Sequence, residues 1–371
     1  MNHLITRYLA VYWGRLRRRG TLGFTLIELL VAGLVAAILT GAMLSMVVEL
    51  MQNDRRDFAR TEVQREMAQA LDFIASDLRQ AIYIYEPGCV NATASATNCP
   101  SRSIVVGATT NYLASLASTI NLPSSGAAKV IPVVAFWKLD KVPYVDSPTG
   151  DENLPTTAQC TAFAPNPATA TTAQNLQRSE CEALRIVQNA YTLVVYALVP
   201  DNSTTDPSRL WEGPAFLRRY QLQQYPSGGV ATLTKNYTTD PDSSFRKWPC
   251  SESGGTITCE SLAMESPITV VDYVDYDIAT APVTCATSYT LSGQQFADAS
   301  ALINSNFYAC VRSPVEDRNI GLVQDAILYL RGNALTRANF SQASTAQQPL
   351  YKPSVQTQAQ ARSVFQRTPP N

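Results

Sequence analysis

The sequence predicts an α+β protein. One long N-terminal helix, membrane-spanning in its first half and amphipathic in its second, packs on an antiparallel β-sheet head with long disulfide-bearing loops. Three observations predict this. Leu29–Val48 is a run of 20 residues without a charge, long enough to cross a bilayer as a helix. Apolar residues then recur at Val63, Met67, Leu71, Ile74, Leu78, Ile82 and Tyr85, in steps of three or four, which is one stripe of an amphipathic helix. Beyond Pro87-Gly88 come short β-prone runs separated by Pro-, Ser-, Thr- and Asn-rich stretches, the pattern of strands and loops.

Residues 1–23 read as a leader. They hold Arg7, Arg15, Arg17, Arg18 and Arg19, with no lysine and no acid. The flank beyond the apolar run is mixed: Arg55, Arg56, Arg60 and Arg65 stand against Glu49, Asp54, Asp57, Glu62 and Glu66. The positive-inside rule therefore places the N-terminus in the cytoplasm and the head outside. A secretory signal peptide is the competing reading, with its cut after the apolar run. Between Leu29 and Tyr85 there is no proline, and the only glycines are Gly33 and Gly41. One helix is expected from about Phe24 to Tyr85, with residues 24–48 spanning the membrane and 49–85 lying on the head.

The head is expected over residues 86–340. Ser103–Gly107 reads as a strand inside a Glu86–Gly126 loop. Lys129–Leu139 is a stronger strand, with Pro132 marking an edge or a bulge. Asp146–Ser179 reads as a low-complexity loop. Ala183–Val199 and Ala215–Tyr225 should pair as a long hairpin. Phe245–Glu260 reads as loop, and Ile268–Ile278, Asn306–Arg312 and Gly321–Leu330 as further strands. Residues 341–371, rich in Gln, Ser and Pro, are expected to form a mobile tail.

The eight cysteines, Cys89, Cys99, Cys160, Cys181, Cys250, Cys259, Cys285 and Cys310, all lie beyond the apolar run, and no C-x-x-C pair occurs. An even set with these spacings indicates disulfides in an oxidising compartment rather than zinc ligands. Nearest neighbours should pair (Cys89–Cys99, Cys160–Cys181, Cys250–Cys259, Cys285–Cys310), because each closes a short loop. The single histidine is His3. Loss of the leader would leave no histidine for Ser-His-Asp or Cys-His catalysis. No nucleotide-binding or serine-nucleophile motif occurs either, so no enzyme activity and no cofactor are expected. The net charge is −1 for the whole chain, and −6 without residues 1–23 (−1 minus 5). A mildly acidic chain is a poor electrostatic match for nucleic acid, whose binders usually show a basic patch. Asp272, Asp275 and Asp277 are calcium candidates, since carboxylate oxygens suit a hard cation. Strand alternation puts Asp272 on the face opposite the other two.

The stretch Gly23-Phe24-Thr25-Leu26-Ile27-Glu28 resembles the class III signal of type IV pilins and type II secretion pseudopilins. The resemblance implies cleavage between Gly23 and Phe24 by a prepilin peptidase, N-methylation of Phe24, and an assembly role for Glu28 as the fifth residue of the processed chain. It also implies a pilin-like fold. Val63–Tyr85, the hairpin Tyr191–Tyr220 and Leu328–Ala334 resemble the minor pilins and pseudopilins that include PilW and the J-type pseudopilin. They are closest to the pseudopilins of hormogonium polysaccharide secretion. Such a subunit helps initiate or cap a filament. Its partners would be membrane lipid, other pilins or pseudopilins, the peptidase, and an inner-membrane assembly platform with its ATPase. Its head would be periplasmic and then filament-borne. A filament-tip module that recognises a surface polysaccharide is the alternative. Physically, an ionisable group in a spanning helix costs on the order of 3 kcal/mol at the centre and less near an end. The amine freed at Phe24 of a neighbouring subunit would offset that cost at Glu28.

Overall fold

The computed structural model describes residues 24–90, 99, 102–122, 130–142, 154–201, 211–226, 229–230, 232–241, 244–276, 284–287, 289–292, 306–312, 323–340 and 347–364. The chain divides after Asp57 into two compact units. The first consists, where described, of the apolar part of helix α1 (Leu26–Arg79). The second is an α+β head in which the rest of α1 packs against antiparallel sheets.

The head holds β1 (Ala81–Ile84), β2 (Ser103–Val106), β3 (Thr109–Tyr112), β4 (Ile120–Asn121) and β5 (Ile131–Lys141). Helices α2 (Thr157–Phe163) and α3 (Thr172–Val187) follow. Then come β6 (Asn189–Pro200), β7 (Ala215–Gln223), β8 (Cys250–Ser253), β9 (Thr256–Cys259), β10 (Leu262–Ala263) and β11 (Ile268–Val274). Strands β12 (Tyr289–Ser292), β13 (Phe307–Arg312), β14 (Val323–Arg331) and β15 (Ser354–Val364) complete the described chain. The main sheet has the order β1-β5-β6-β7-β11, and a second sheet has the order β12-β13-β14-β15. They join where Val274 bridges Gly332.

The stripe expected on α1 is its buried face: Val63, Met67, Leu71, Ile74 and Leu78 are fully or almost fully buried. They share one core with Phe136, Val194 and Leu217 of the main sheet and Phe307, Leu328 and Ala359 of the second. The opposite face of the main sheet is also covered. There Trp137 meets Trp248 and Tyr237 edge-on, in a cluster with Tyr85, Leu193 and Tyr220. Burial on both faces explains why β5 and β6 read as nearly continuous apolar runs.

The helix is shorter than expected. It stops at Arg79, and Ala81–Ile84 forms a strand on β5. The isoleucines and tyrosine there suit a pleated, half-buried surface better than a helix. Pro132 sits at a bulge, where the β5–β6 register shifts between Pro132 and Val134. The β6–β7 hairpin pairs from Thr192↔Gln223 to Pro200↔Ala215. The expected start of β6 at Ala183 is corrected, since residues 183–187 complete α3.

Three stretches expected as loop or tail are structured. In 146–179, two capping boxes start helices: Thr156 with Gln159 opens α2, and Thr171 with Gln174 opens α3. Each satisfies orphan N–H groups of a first turn. In 245–260, the turn at Gly254-Gly255, both with positive φ, joins β8 to β9. In 341–371, β15 pairs with β14 from Arg331↔Ser354 to Val323↔Val364. Ala359 and Ala361 are buried while Gln356, Gln358 and Gln360 are exposed. A period-2 pattern of alanine and glutamine carries little hydrophobic contrast, which is why it was illegible as a strand. The four disulfides are Cys89–Cys99, Cys160–Cys181, Cys250–Cys259 and Cys285–Cys310.

Candidate functional site

The stretch singled out by its sequence opens α1. Gly23 and the leader lie outside the described residues. Phe24 and Thr25 precede the first helical residue, and Phe24 is 73% exposed. The Glu28 N–H donates to Thr25 Oγ1 at 3.3 Å and to the Thr25 carbonyl at 3.0 Å. Thr25 is thus the N-cap and Glu28 stands three residues on, the T-x-x-E spacing of a capping box. Sequence reasoning passed over Thr25, although that spacing was the signal. A carboxylate in the first turn also suits the positive end of the helix dipole. Glu28 is exposed, and among the described residues none forms a salt bridge with it.

Downstream the helix presents Leu26, Ile27, Leu29, Leu30, Leu34 and their successors to the outside. It contains an 18-residue window of mean hydropathy 2.3, none of it buried. This is one long apolar helix near the N-terminus, with the length and composition of a single membrane span or a signal.

Of the calcium candidates, the two described ones, Asp272 and Asp275, are each engaged within the protein. Asp275 is fully buried, and its carboxylate meets Lys352 Nζ at 3.0 Å, Arg331 Nε at 3.3 Å and Asn333 Nδ2 at 2.9 Å. Its charge is already matched by two cations. Asp272 accepts the Glu212 N–H at 3.1 Å, and burial pushes its carboxyl up. Asp277 lies outside the described residues. Among the described residues, the one ligand-like cluster is Glu86 with Cys89 and Cys99. Those sulfurs are joined to each other, so neither is a thiolate that could bind metal.

The polar groups that sequence reasoning missed are buried in the head. Asp77 lies on the core-facing side of α1. It accepts from Lys138 Nζ at 2.9 Å, Arg219 Nε at 2.8 Å and Tyr196 OH at 2.7 Å. Burial raises its carboxyl, but the charge of Arg219 and the hydrogen bonds from Arg219, Tyr196 and Lys138 outweigh that and hold it below the ordinary value. The signal was an acid within the apolar stripe, between Ile74 and Leu78. On the far side of the main sheet, buried Arg102 donates to the carbonyls of Ala114 (2.7 Å), Arg246 (3.0 Å) and Trp248 (2.7 Å). These groups tie helix to sheet and loop to loop.

No protein-family model, curated protein or solved structure matches the chain.

Proposed function

We propose that the chain is a minor pilin or pseudopilin. In this reading it is cut between Gly23 and Phe24, held in the inner membrane by the apolar part of α1, and assembled with other subunits to initiate or cap a filament. The observation that carries the reading is the sequence Gly23–Glu28 at the start of an exposed apolar helix. The helix opens at Leu26, after the Thr25 N-cap, and its first turn holds the single carboxylate of the apolar segment. An exposed carboxylate on such a helix needs a cation in an assembled state, and the amine of a neighbouring Phe24 has the right charge and depth. The head carries four disulfides, which suits an oxidising compartment outside the cytoplasm. The peptidase, an assembly platform with its ATPase, and sister subunits are the partners this function requires. Polysaccharide secretion is the transport function that the resemblance favours.

Mass spectrometry of the mature N-terminus tests the proposal. The expected species from the membrane fraction begins at Phe24 and carries a methyl group on its amine. An intact Met1, or a cut beyond Val48, overturns it.

A further inference from the structure

Three polar residues from three segments of the head meet in one buried spot. Asp275 follows β11, Asn333 follows β14, and Lys352 precedes β15. Backbone hydrogen bonds knit the segments together there. The Asp275 N–H donates to the Arg331 carbonyl at 2.9 Å, the Asn333 N–H to the Tyr273 carbonyl at 2.7 Å, and the Gly332 N–H to the Pro353 carbonyl at 2.9 Å. Asp275 is fully buried, the Lys352 side chain is 4% exposed and Asn333 is 8% exposed. Lys352 Nζ and Asn333 Nδ2 both contact the same atom, Asp275 Oδ1, at 3.0 and 2.9 Å. An amine and a carboxamide thus stand against one carboxylate oxygen, away from water.

That set carries what an amide transfer requires. Lysine is a nucleophile once it has lost a proton, and Asp275 is in place to take it. The Asn333 side-chain carbonyl is already polarised, because its Oδ1 accepts the Leu335 N–H at 3.1 Å. The same N–H would hold the oxyanion of a tetrahedral intermediate. The leaving nitrogen, Nδ2, is the atom that touches Asp275, so the acid formed in the first step lies beside it. Holding all three groups on hydrogen-bonded segments makes the reaction intramolecular, which removes much of the barrier to a slow condensation. Charge favours it as well. Asp275 faces two cations, Lys352 and Arg331. Turning Lys352 into a neutral amide leaves Asp275 paired with Arg331 alone and ends the cost of keeping an ammonium out of water.

We infer that Lys352 and Asn333 join in an intramolecular isopeptide bond, with Asp275 as the proton carrier. Lys352 Nζ passes a proton to Asp275 Oδ1 and attacks Asn333 Cγ. As the Nζ–Cγ bond forms, Asp275 returns that proton to Nδ2, the Cγ–Nδ2 bond breaks, and ammonia leaves. The second proton shed by Nζ departs through Asp275 on the ammonia, as ammonium. Asp275 ends ionised, as it began, and no oxidant or reductant is needed. The new bond ties the end of β14 to the start of β15 and so pins the C-terminal strand to its sheet.

The full-length chain, extracted from membranes in detergent, is reduced, alkylated and digested with trypsin. Arg331, Arg337 and Arg362 offer cuts, whereas Lys352 is followed by Pro353 and is spared. The expected product is a branched peptide, residues 332–337 joined to 338–362, lighter than the two together by one ammonia. Fragmentation should place the link between Asn333 and Lys352. A missed cut at Arg337 would instead give a linear peptide that differs from the pair by one water, and a succinimide at Asn333 would leave the two peptides separate. Lys352→Arg, which keeps the charge, should give only separate peptides, and so should Asp275→Asn. The wild-type chain decides the inference whether or not a variant folds. Separate peptides from the folded wild-type chain, or a branch from Lys352 to Asp275, would overturn it. A branch that persists in Asp275→Asn would overturn the part given to Asp275.

Discussion

Asp77 on α1 and Arg219 on β7 are 142 residues apart in sequence and meet inside the head at 2.8 Å. Both side chains are about nine-tenths buried. Lys138 approaches the same carboxylate from β5. One acid on the helix thus serves two cations on the sheet, and it fixes the height at which α1 rests on that sheet.

Asp77→Ala should therefore cost more than an ordinary core substitution. It would leave Arg219 without its carboxylate and Lys138 with only Asp140, which lies 3.0 Å away. Breaking a buried pair from one side costs about 3–5 kcal/mol, because the remaining charge is uncompensated. Chemical denaturation should show a loss of that size. Asp77→Asn keeps only one acceptor oxygen, turns an amide NH2 toward a donor and takes its charge from both cations, so it should lose a comparable amount.

The same carboxylate sets part of the acid sensitivity. Asp325 is also held low: burial raises it, and the hydrogen bonds from Arg312, Tyr289 and Gln358 more than offset that. Glu260 is raised by burial and lowered further by the Thr238 and Thr239 hydroxyls and amides. All three have folded values below their unfolded ones, about 3.9 for Asp and 4.3 for Glu. Their stabilisation is complete above those values and is lost as pH falls through the folded ones. Asp272, raised by burial, acts weakly in the opposite sense. The urea midpoint should hold level down to about pH 5 and drop steeply below pH 4. A midpoint that rises on acidification would contradict these assignments.

Calcium should leave the melting temperature of the head unchanged, and so should a chelator. The buried carboxylate of Asp275 already faces Lys352 and Arg331, and displacing them would leave Lys352 buried without a counter-charge. Differential scanning calorimetry with calcium and then with excess chelator checks this.

What could be read beforehand divides along physical lines. The stripe from Val63 to Leu78 was legible because burial of one helix face imposes a strong period, and the β6–β7 hairpin because burial on both faces makes β6 a long, β-branched apolar run. The cysteine pairs were legible because each closes a short loop. Strand β15 was not: its inward Ala359 and Ala361 carry too little apolar surface to mark a face against the exposed Gln356, Gln358 and Gln360. Helices α2 and α3 were hidden in a Thr- and Ala-rich stretch whose only cues were two T-x-x-Q capping boxes. Asp275 looked like a ligand because sequence displays carboxylates but not the distant Lys352 that neutralises one. At the N-terminus Thr25, which caps the Glu28 N–H, was passed over although the T-x-x-E spacing was its signal.

Gly332 offers a test of how closely the helix is seated. A Cβ there would lie 2.4 Å from Val63 Cγ1 and 3.1 Å from Met67 Cγ, so this glycine is required by close approach rather than by its backbone angle. Gly332→Ala should destabilise by about 1–3 kcal/mol, the usual cost of overpacking. Val63→Ala removes the offending methyl. The double variant should therefore be more stable than the sum of the single effects predicts, a coupling that a double-mutant cycle on urea midpoints measures directly.

The last prediction concerns the α2–α3 hairpin. Its helices have few apolar contacts of their own: Cys160 is the buried residue of α2, and α3 buries Cys181 and Leu184. The disulfide between them has a sequence separation of 21, and closing a loop of that order stabilises by about 3 kcal/mol in the chain-entropy account. Replacing both cysteines with alanine should then loosen the hairpin while the main sheet holds, because the β5–β6 and β6–β7 ladders do not pass through it. Hydrogen exchange should show lost protection confined to residues 157–187, with β6 and β7 unchanged. If exchange instead accelerated equally in β6, the hairpin and the sheet would be one cooperative unit. The stapled helices would then be part of the core rather than an appendage displayed on it.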